Sequence, residues 1–142
     1  MDQITIYTDG AARGNPGSSA SGFIVYFNGR QVAKEGVYNG KATNNVAEYN
    51  AVVLSLKWCT ENIPSHKGCA VMLYSDSELV VMQLNNLYKI KAKRMRELHA
   101  EVLKLSTNFA ATAFSNLPRS ERHIVAVDRH LNLLLDSIEK GQ

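Results

Sequence analysis

Cysteine is nearly absent: Cys59 and Cys69 are the only two in 142 residues. A zinc ribbon needs four Cys or His ligands in two close pairs, so these two residues cannot form one. Both are read as reduced thiols, with a bridge between them as the alternative. Long hydrophobic runs are lacking as well. No stretch of about 18 apolar residues occurs, which excludes a membrane-spanning helix. Met1-Asp2-Gln3 passes almost directly into a strand-like run, leaving no room for a secretory leader, so a cytoplasmic location is expected. Charge of one sign is not in excess: 16 basic against 13 acidic side chains give a net +3, which alone points to no partner. What is present is a 45% hydrophobic, 20% charged chain, outside the range of intrinsic disorder. Its length suits one domain spanning residues 1–142, with a core large enough to need no disulfide or metal staple.

Ile4-Thr5-Ile6-Tyr7-Thr8 reads as a strand ending at Asp9-Gly10, followed by a glycine-rich loop to Gly17. Gly22 to Phe27 and Arg30 to Tyr38 flank Asn28-Gly29, a strong hairpin signal. From Thr43 the period changes: Ala47, Ala51, Leu54 and Trp58 form one helical stripe, and Pro64 lies beyond it. Ala70 to Tyr74 reads as a strand buried on both faces, giving way at Ser75-Asp76 to a helix through about Asn86. A third helix begins near Lys93, and alanines after residue 110 prolong it toward Pro118. Ile124-Val125-Ala126-Val127 is read as the last buried strand, and Asn132 as the start of a short terminal helix. This order, β-β-β-α-β-α-α-β-α, indicates an α/β domain: an antiparallel hairpin, then right-handed crossovers to parallel strands.

Functional groups in such sheets gather at the carboxyl ends of the strands. Asp9 ends the first strand and Asp76 the fourth, so parallel neighbours would bring the two carboxylates together. Glu48 lies on the first helix, on the same face as Asn44 and Asn45. Asp136 falls in the last helix. Taken singly, each acid has an ordinary explanation as a turn former, a helix cap or a partner of the helix dipole. Together they are costly unless a cation neutralises them, and carboxylates without Cys or His favour Mg²⁺ or Mn²⁺ over zinc.

Three motifs then carry a resemblance: Tyr7-Thr8-Asp9-Gly10-Ala11-Ala12-Arg13-Gly14-Asn15-Pro16-Gly17, Thr43-Asn44-Asn45-Val46-Ala47-Glu48-Tyr49, and Ser75-Asp76-Ser77-Glu78-Leu79-Val80. In order and spacing the chain closely resembles the type 1 branch of the ribonuclease H family. The resemblance implies a ribonuclease H-like fold, a five-stranded mixed sheet flanked by about four helices. It also implies an endonuclease that cuts the RNA strand of RNA/DNA hybrids with two divalent ions, leaving 5′-phosphate and 3′-hydroxyl ends. Matched residue by residue, the ion-holding acids are Asp9, Glu48, Asp76 and Asp136. In the fourth motif Arg129, Asn132 and Asp136 keep the family register, while Asp128 stands where the pattern has proline. Asp128 is therefore a rival, and the spacing from Asn132 favours Asp136. The family's loop histidine has no counterpart in register; His123 and His130 are read as surface residues.

The resemblance places Asn15, Asn44 and Asn45 against the substrate, where short amides tell ribose from deoxyribose. Thr43 matches a ligand of a DNA-strand phosphate. The glycine-rich loop is neither a Walker A loop nor a dinucleotide fingerprint. Lys89 to Arg96 holds five basic residues in eight with no acid, which makes Lys89 and Lys91 candidates for phosphate contacts. The chain has neither the longer basic, Trp-containing handle of several relatives nor a separate hybrid-binding segment, and some relatives built this way also cut double-stranded RNA or RNA–DNA junctions. A monomer with no obligate protein partner is expected. The competing reading, from another class, is a non-catalytic nucleic-acid-binding module on the same fold; it predicts a broken carboxylate set.

Overall fold

Period-two alternation carries the first strand well past the point where glycines suggest a loop. In the computed structural model, which describes residues 1–141, β1 runs Gln3–Gly14 and turns at Asn15-Pro16 into β2, Gly17–Phe27. The glycine-rich segment is thus the outer end of a long antiparallel ladder, with Asp9 opposite Gly22 and Gly14 opposite Gly17. Asn28 and Gly29, both at positive φ, make the next hairpin turn into β3, Arg30–Ala42.

The remaining elements are α1 (Asn44–Asn62), β4 (Ala70–Ser75), α2 (Glu78–Leu84), α3 (Lys93–Ser106), β5 (Ala111–Asn116) and α4 (Arg122–Lys140). The sheet order is β3-β2-β1-β4-β5, antiparallel through the two hairpins and parallel from β1 to β4 to β5. The five-stranded mixed sheet with four helices is as the sequence leads one to expect.

Two assignments are corrected. Residues 124–127 are helical, and the last strand is Ala111–Asn116. The β-branched run Ile124-Val125-Ala126-Val127 favours a strand locally, but Ile124, Val127, Leu131 and Leu135 recur at helical spacing and are almost wholly buried. Burying that stripe, at about 1.5–3 kcal/mol for each large side chain, outweighs strand propensity. Glu121 caps the helix, accepting from the amides of His123 and Ile124. The alanine-rich stretch is strand because parallel pairing with β4, Ala70 opposite Ala111 through Ser75 opposite Asn116, satisfies its backbone while Phe114 packs on the core.

α1, α2 and α3 cover one face of the sheet. Tyr49, Val52 and Leu56 of α1, Val80 and Leu84 of α2, and Leu98 and Val102 of α3 pack on Ile4, Ile6, Val71 and Leu73. Cys59 and Cys69 are free thiols buried in this layer. α4 covers the other face, where Val127, Leu131 and Leu135 meet Ala20 and Ile24. It comes close enough that a Cβ on Gly22 would strike the Leu131 side chain. No helix among the described residues is long and apolar enough to cross a membrane.

Candidate active site

The parallel pairing of β1 and β4 builds the centre of the site. Thr8 lies opposite Ser75, so the next residue on each strand, Asp9 and Asp76, emerges at the same edge. Glu48 arrives from the first turns of α1, whose start is set by Thr43: its hydroxyl accepts from the Val46 amide at 3.2 Å. A Cβ on Gly10 would meet the backbone of Ala47 and Glu48, so only glycine lets β1 and α1 approach this closely. The Gly10 amide donates to Glu48 Oε1 at 3.1 Å, and Ser75 Oγ donates to Oε2 at 3.4 Å.

Oxygens of Asp9, Glu48 and Asp76 lie within 4.8 Å of one another. Asp9 and Glu48 are 4% and 8% exposed, too dry to carry charge cheaply. Burial, then the charges of Glu48 and Asp76, push Asp9 far above the carboxylate range. Burial, then the charge of Asp76, pushes Glu48 upward too, partly opposed by its hydrogen bonds to Asp9, Gly10 and Ser75. Both carboxyls are therefore held above the ordinary carboxylate range, by burial first and by neighbouring negative charge second. Asp76 Oδ1 is buried with no hydrogen-bond partner, while its Oδ2 lies 3.6 Å from Arg119 Nε. An unsatisfied carboxylate oxygen aimed into a group of acids is what a hard cation would satisfy. No His or Cys belongs to this group, which matches the donor chemistry of Mg²⁺ or Mn²⁺.

Asp136 is not in that group. Its Oδ1 accepts from Arg13 Nη2 at 2.7 Å, beside a second ion pair from Arg13 to Glu139 at 2.9 Å. The reason is the corrected helix: α4 begins at Arg122, so Asp136 lies in its last turns. α4 runs along β1, with His123 stacked on Tyr7 at one end and Asp136 on Arg13 at the other. Between them is Asp128, exposed and likewise outside the group of three, but near enough that its charge adds a small part to the rise of Asp9.

The amide residues ring the same opening. Asn44 Oδ1 accepts from the Ala12 amide at 3.0 Å, and Asn15 Oδ1 accepts from the Asn44 amide at 3.1 Å, tying the β1–β2 turn to the start of α1. A groove of about 250 Å³ is lined by Gly10, Asn44, Asn45, Glu48, Asp76, Ser77 and Arg119. Lys89 and Lys91 stand on the connection between α2 and α3, along a neighbouring groove that shares Asn45. Arg119 escapes the sequence reading, although Pro118-Arg119 is the Pro-Arg pair that the fourth motif lacks at residues 128–129. His123 is half-buried between Tyr7 and Tyr26, with its Nδ1 2.8 Å from Glu121 Oε2.

Comparison with known proteins agrees with this geometry. The RNase H family profile matches residues 1–130. A ribonuclease HI of Halobacterium salinarum is 34% identical over 119 residues, covering 83% of this chain and 58% of that protein. The bifunctional protein Rv2228c of Mycobacterium tuberculosis is 28% identical over 137 residues. The chain spans 58% and 36% of the lengths of these two relatives. Among solved structures, LC11-RNase H1 in complex with RNA/DNA hybrid superposes with a TM-score of 0.87 at 31% identity, covering 95% of this chain and 98% of that one. The N-terminal RNase H domain of Rv2228c gives 0.87 at 26% identity, covering 99% of both.

Proposed function

The chain belongs to the RNase H family, and from that premise we propose that it hydrolyses the RNA strand of RNA/DNA hybrids endonucleolytically, as one catalytic domain over residues 1–142, leaving 5′-phosphate and 3′-hydroxyl ends. The observation that carries this reading is the buried carboxylate group of Asp9, Glu48 and Asp76. A binding module would gain nothing from three acids whose charges oppose one another in a dry site.

Asp9, Glu48 and Asp76 hold the divalent ions, with Asp128 as the fourth carboxylate in place of Asp136. When bound, a pair of such ions supplies a water ionised near neutral pH and neutralises charge on the leaving oxygen. Because Asp9 and Glu48 are both held above the ordinary carboxylate range, holding a cation there would require protons to leave the pair, which would couple ion affinity to pH. Asn15, Asn44 and Asn45 hydrogen-bond the sugars flanking the scissile bond and distinguish ribose from deoxyribose. Thr43, Lys89 and Lys91 hold backbone phosphates. Arg119, 91% exposed beside Asp76, swings from that carboxylate to the reacting phosphate once the acids are neutralised.

The test is a panel of end-labelled RNA/DNA hybrid, double-stranded RNA, an RNA–DNA junction and double-stranded DNA, each with Mg²⁺ or Mn²⁺. Cleavage of the hybrid, with products that a 5′-phosphate-dependent exonuclease degrades, is the predicted result. Binding of the hybrid without cleavage in either metal would support the non-catalytic module instead.

A further inference from the structure

Gln83 on α2 is a buried polar side chain that the carboxylate site does not use; it is 3% exposed. Its amide is satisfied in both directions. Oε1 accepts from the Tyr49 hydroxyl at 2.7 Å, and Nε2 donates to the Lys89 carbonyl at 3.1 Å. The Gln83 carbonyl in turn lies 3.1 Å from His99 Nε2 on α3. One side chain therefore joins α1, at the residue after Glu48, to the first lysine of the basic segment.

Ile90 packs on the core between the two lysines and the Tyr88 hydroxyl donates to Glu78 Oε1 at 3.1 Å, but it is the Gln83 amide that bonds the Lys89 backbone itself. Residues 85–92 contain no helix or strand, and Lys89 and Lys91 are exposed. The amides of Leu87 and Tyr88 reach back to Met82 at 2.8 and 3.3 Å, which fixes the start of the connection but not its lysines. Lys89 and Lys91 line a groove of about 310 Å³ floored by Leu79, Ala92 and Met95, and Asn45 borders both this groove and the carboxylate groove. A leucine in the place of Gln83 would leave the buried Tyr49 hydroxyl and the Lys89 carbonyl without this partner, so the amide both satisfies α1 and sets where the segment lies.

We propose that Gln83 is a positioning residue for substrate: it holds the Lys89–Lys91 segment at a set distance from the carboxylates, so that one hybrid engages both. This rests on the proposed function, in which the basic segment carries backbone phosphates. Its consequence lies in binding and salt dependence, not in the chemical step.

The experiment measures affinity for a fluorescent RNA/DNA hybrid by anisotropy in EDTA, over a salt series, for wild type, Gln83→Leu, Gln83→Glu, Tyr49→Phe and Lys89→Ala, beside thermal melts. Gln83→Leu and Gln83→Glu, both unable to donate to Lys89, are expected to weaken binding about five- to tenfold. Both should also flatten the salt slope by roughly one phosphate contact, as Lys89→Ala does. Tyr49→Phe, which leaves the amide in place but unoriented, is expected to weaken binding about twofold, and it serves if the Gln83 variants fail to fold. Wild-type affinity and salt slope in the folded variants, with Lys89→Ala impaired, would overturn the role of Gln83 alone. An unimpaired Lys89→Ala would overturn the basic segment as phosphate site and this proposal with it. No binding by wild type would overturn the proposed function as well.

Discussion

Arg13 on β1 holds Asp136 on α4 at 2.7 Å, and the same guanidinium reaches Glu139 at 2.9 Å. This pairing gives Asp136 a partner outside the carboxylate group and makes it a tie between α4 and the outer end of β1. Eight residues earlier on the same helix, about 12 Å along its axis, Asp128 is exposed and lies on the Asp9 side, where its charge adds to those that raise Asp9. Asp136→Asn is expected to keep cleavage within about threefold of wild type, whereas Asp128→Asn lowers kcat by about 100-fold, close to 2.7 kcal/mol of barrier. Steady-state kinetics of the two variants at saturating metal decides between them.

The metal-free protein should lose stability as pH rises. Asp9 and Glu48 have folded-state pKa values above their unfolded ones, so the native state binds more protons than the unfolded state between those limits. Their protonated forms are accommodated below about pH 4, and the penalty for ionising them in the fold grows as pH climbs from there through neutrality. In EDTA, Asp9→Asn should melt higher than wild type at pH 8 by several degrees, corresponding to about 1–2 kcal/mol, with the gap closing near pH 4. Mg²⁺ or Mn²⁺ should raise the melting temperature of wild type and not that of Asp9→Asn.

Arg119 touches the site without supporting the fold, since its side chain is 91% exposed. Arg119→Ala should therefore lower kcat about tenfold with an unchanged melting temperature, and Arg119→Lys should recover part of the loss. Thermal melts run beside steady-state kinetics check both halves.

Helix α4 offers a direct check of the corrected assignment. Leu131 is fully buried, while Leu133, two residues on, is 63% exposed. Leu131→Ala should cost about 2–5 kcal/mol and Leu133→Ala under about 0.5 kcal/mol by urea denaturation.

The sequence makes plain those features that follow from one element or one motif, and hides those that depend on pairing between distant elements. Asp9 and Asp76 could be placed together because strand ends in a parallel pair follow from β1 and β4 alone. Glu48 followed from the same motif set as Asn44 and Asn45. At residues 111–116 and 124–127 local composition opposes the tertiary pairing that decides the structure. Alanines at 111 and 113 look helical until β4 supplies hydrogen-bond partners, and Ile124 to Val127 look extended until Leu131 and Leu135 extend their stripe. The place of Asp136 depends on where α4 begins: with the helix starting at Arg122, Asp136 falls in its last turns beside Arg13. Arg119 and Gln83 act through contacts between elements distant in sequence, with Asp76 in one case and with Tyr49 and Lys89 in the other, which no local pattern records.

The central claim is that the acids at the ends of β1 and β4 and on α1 make this chain a metal-dependent nuclease for hybrids. It is tested most directly by incubating labelled RNA/DNA hybrid with wild type and with Asp76→Asn at equal concentration, in Mg²⁺ and in Mn²⁺, and following the RNA strand on a denaturing gel. Metal-dependent cleavage by wild type is expected, with a loss of at least about 1000-fold for a folded Asp76→Asn, a barrier rise of about 4 kcal/mol. An intact hybrid under wild type in both metals, or equal cleavage by Asp76→Asn, would contradict it.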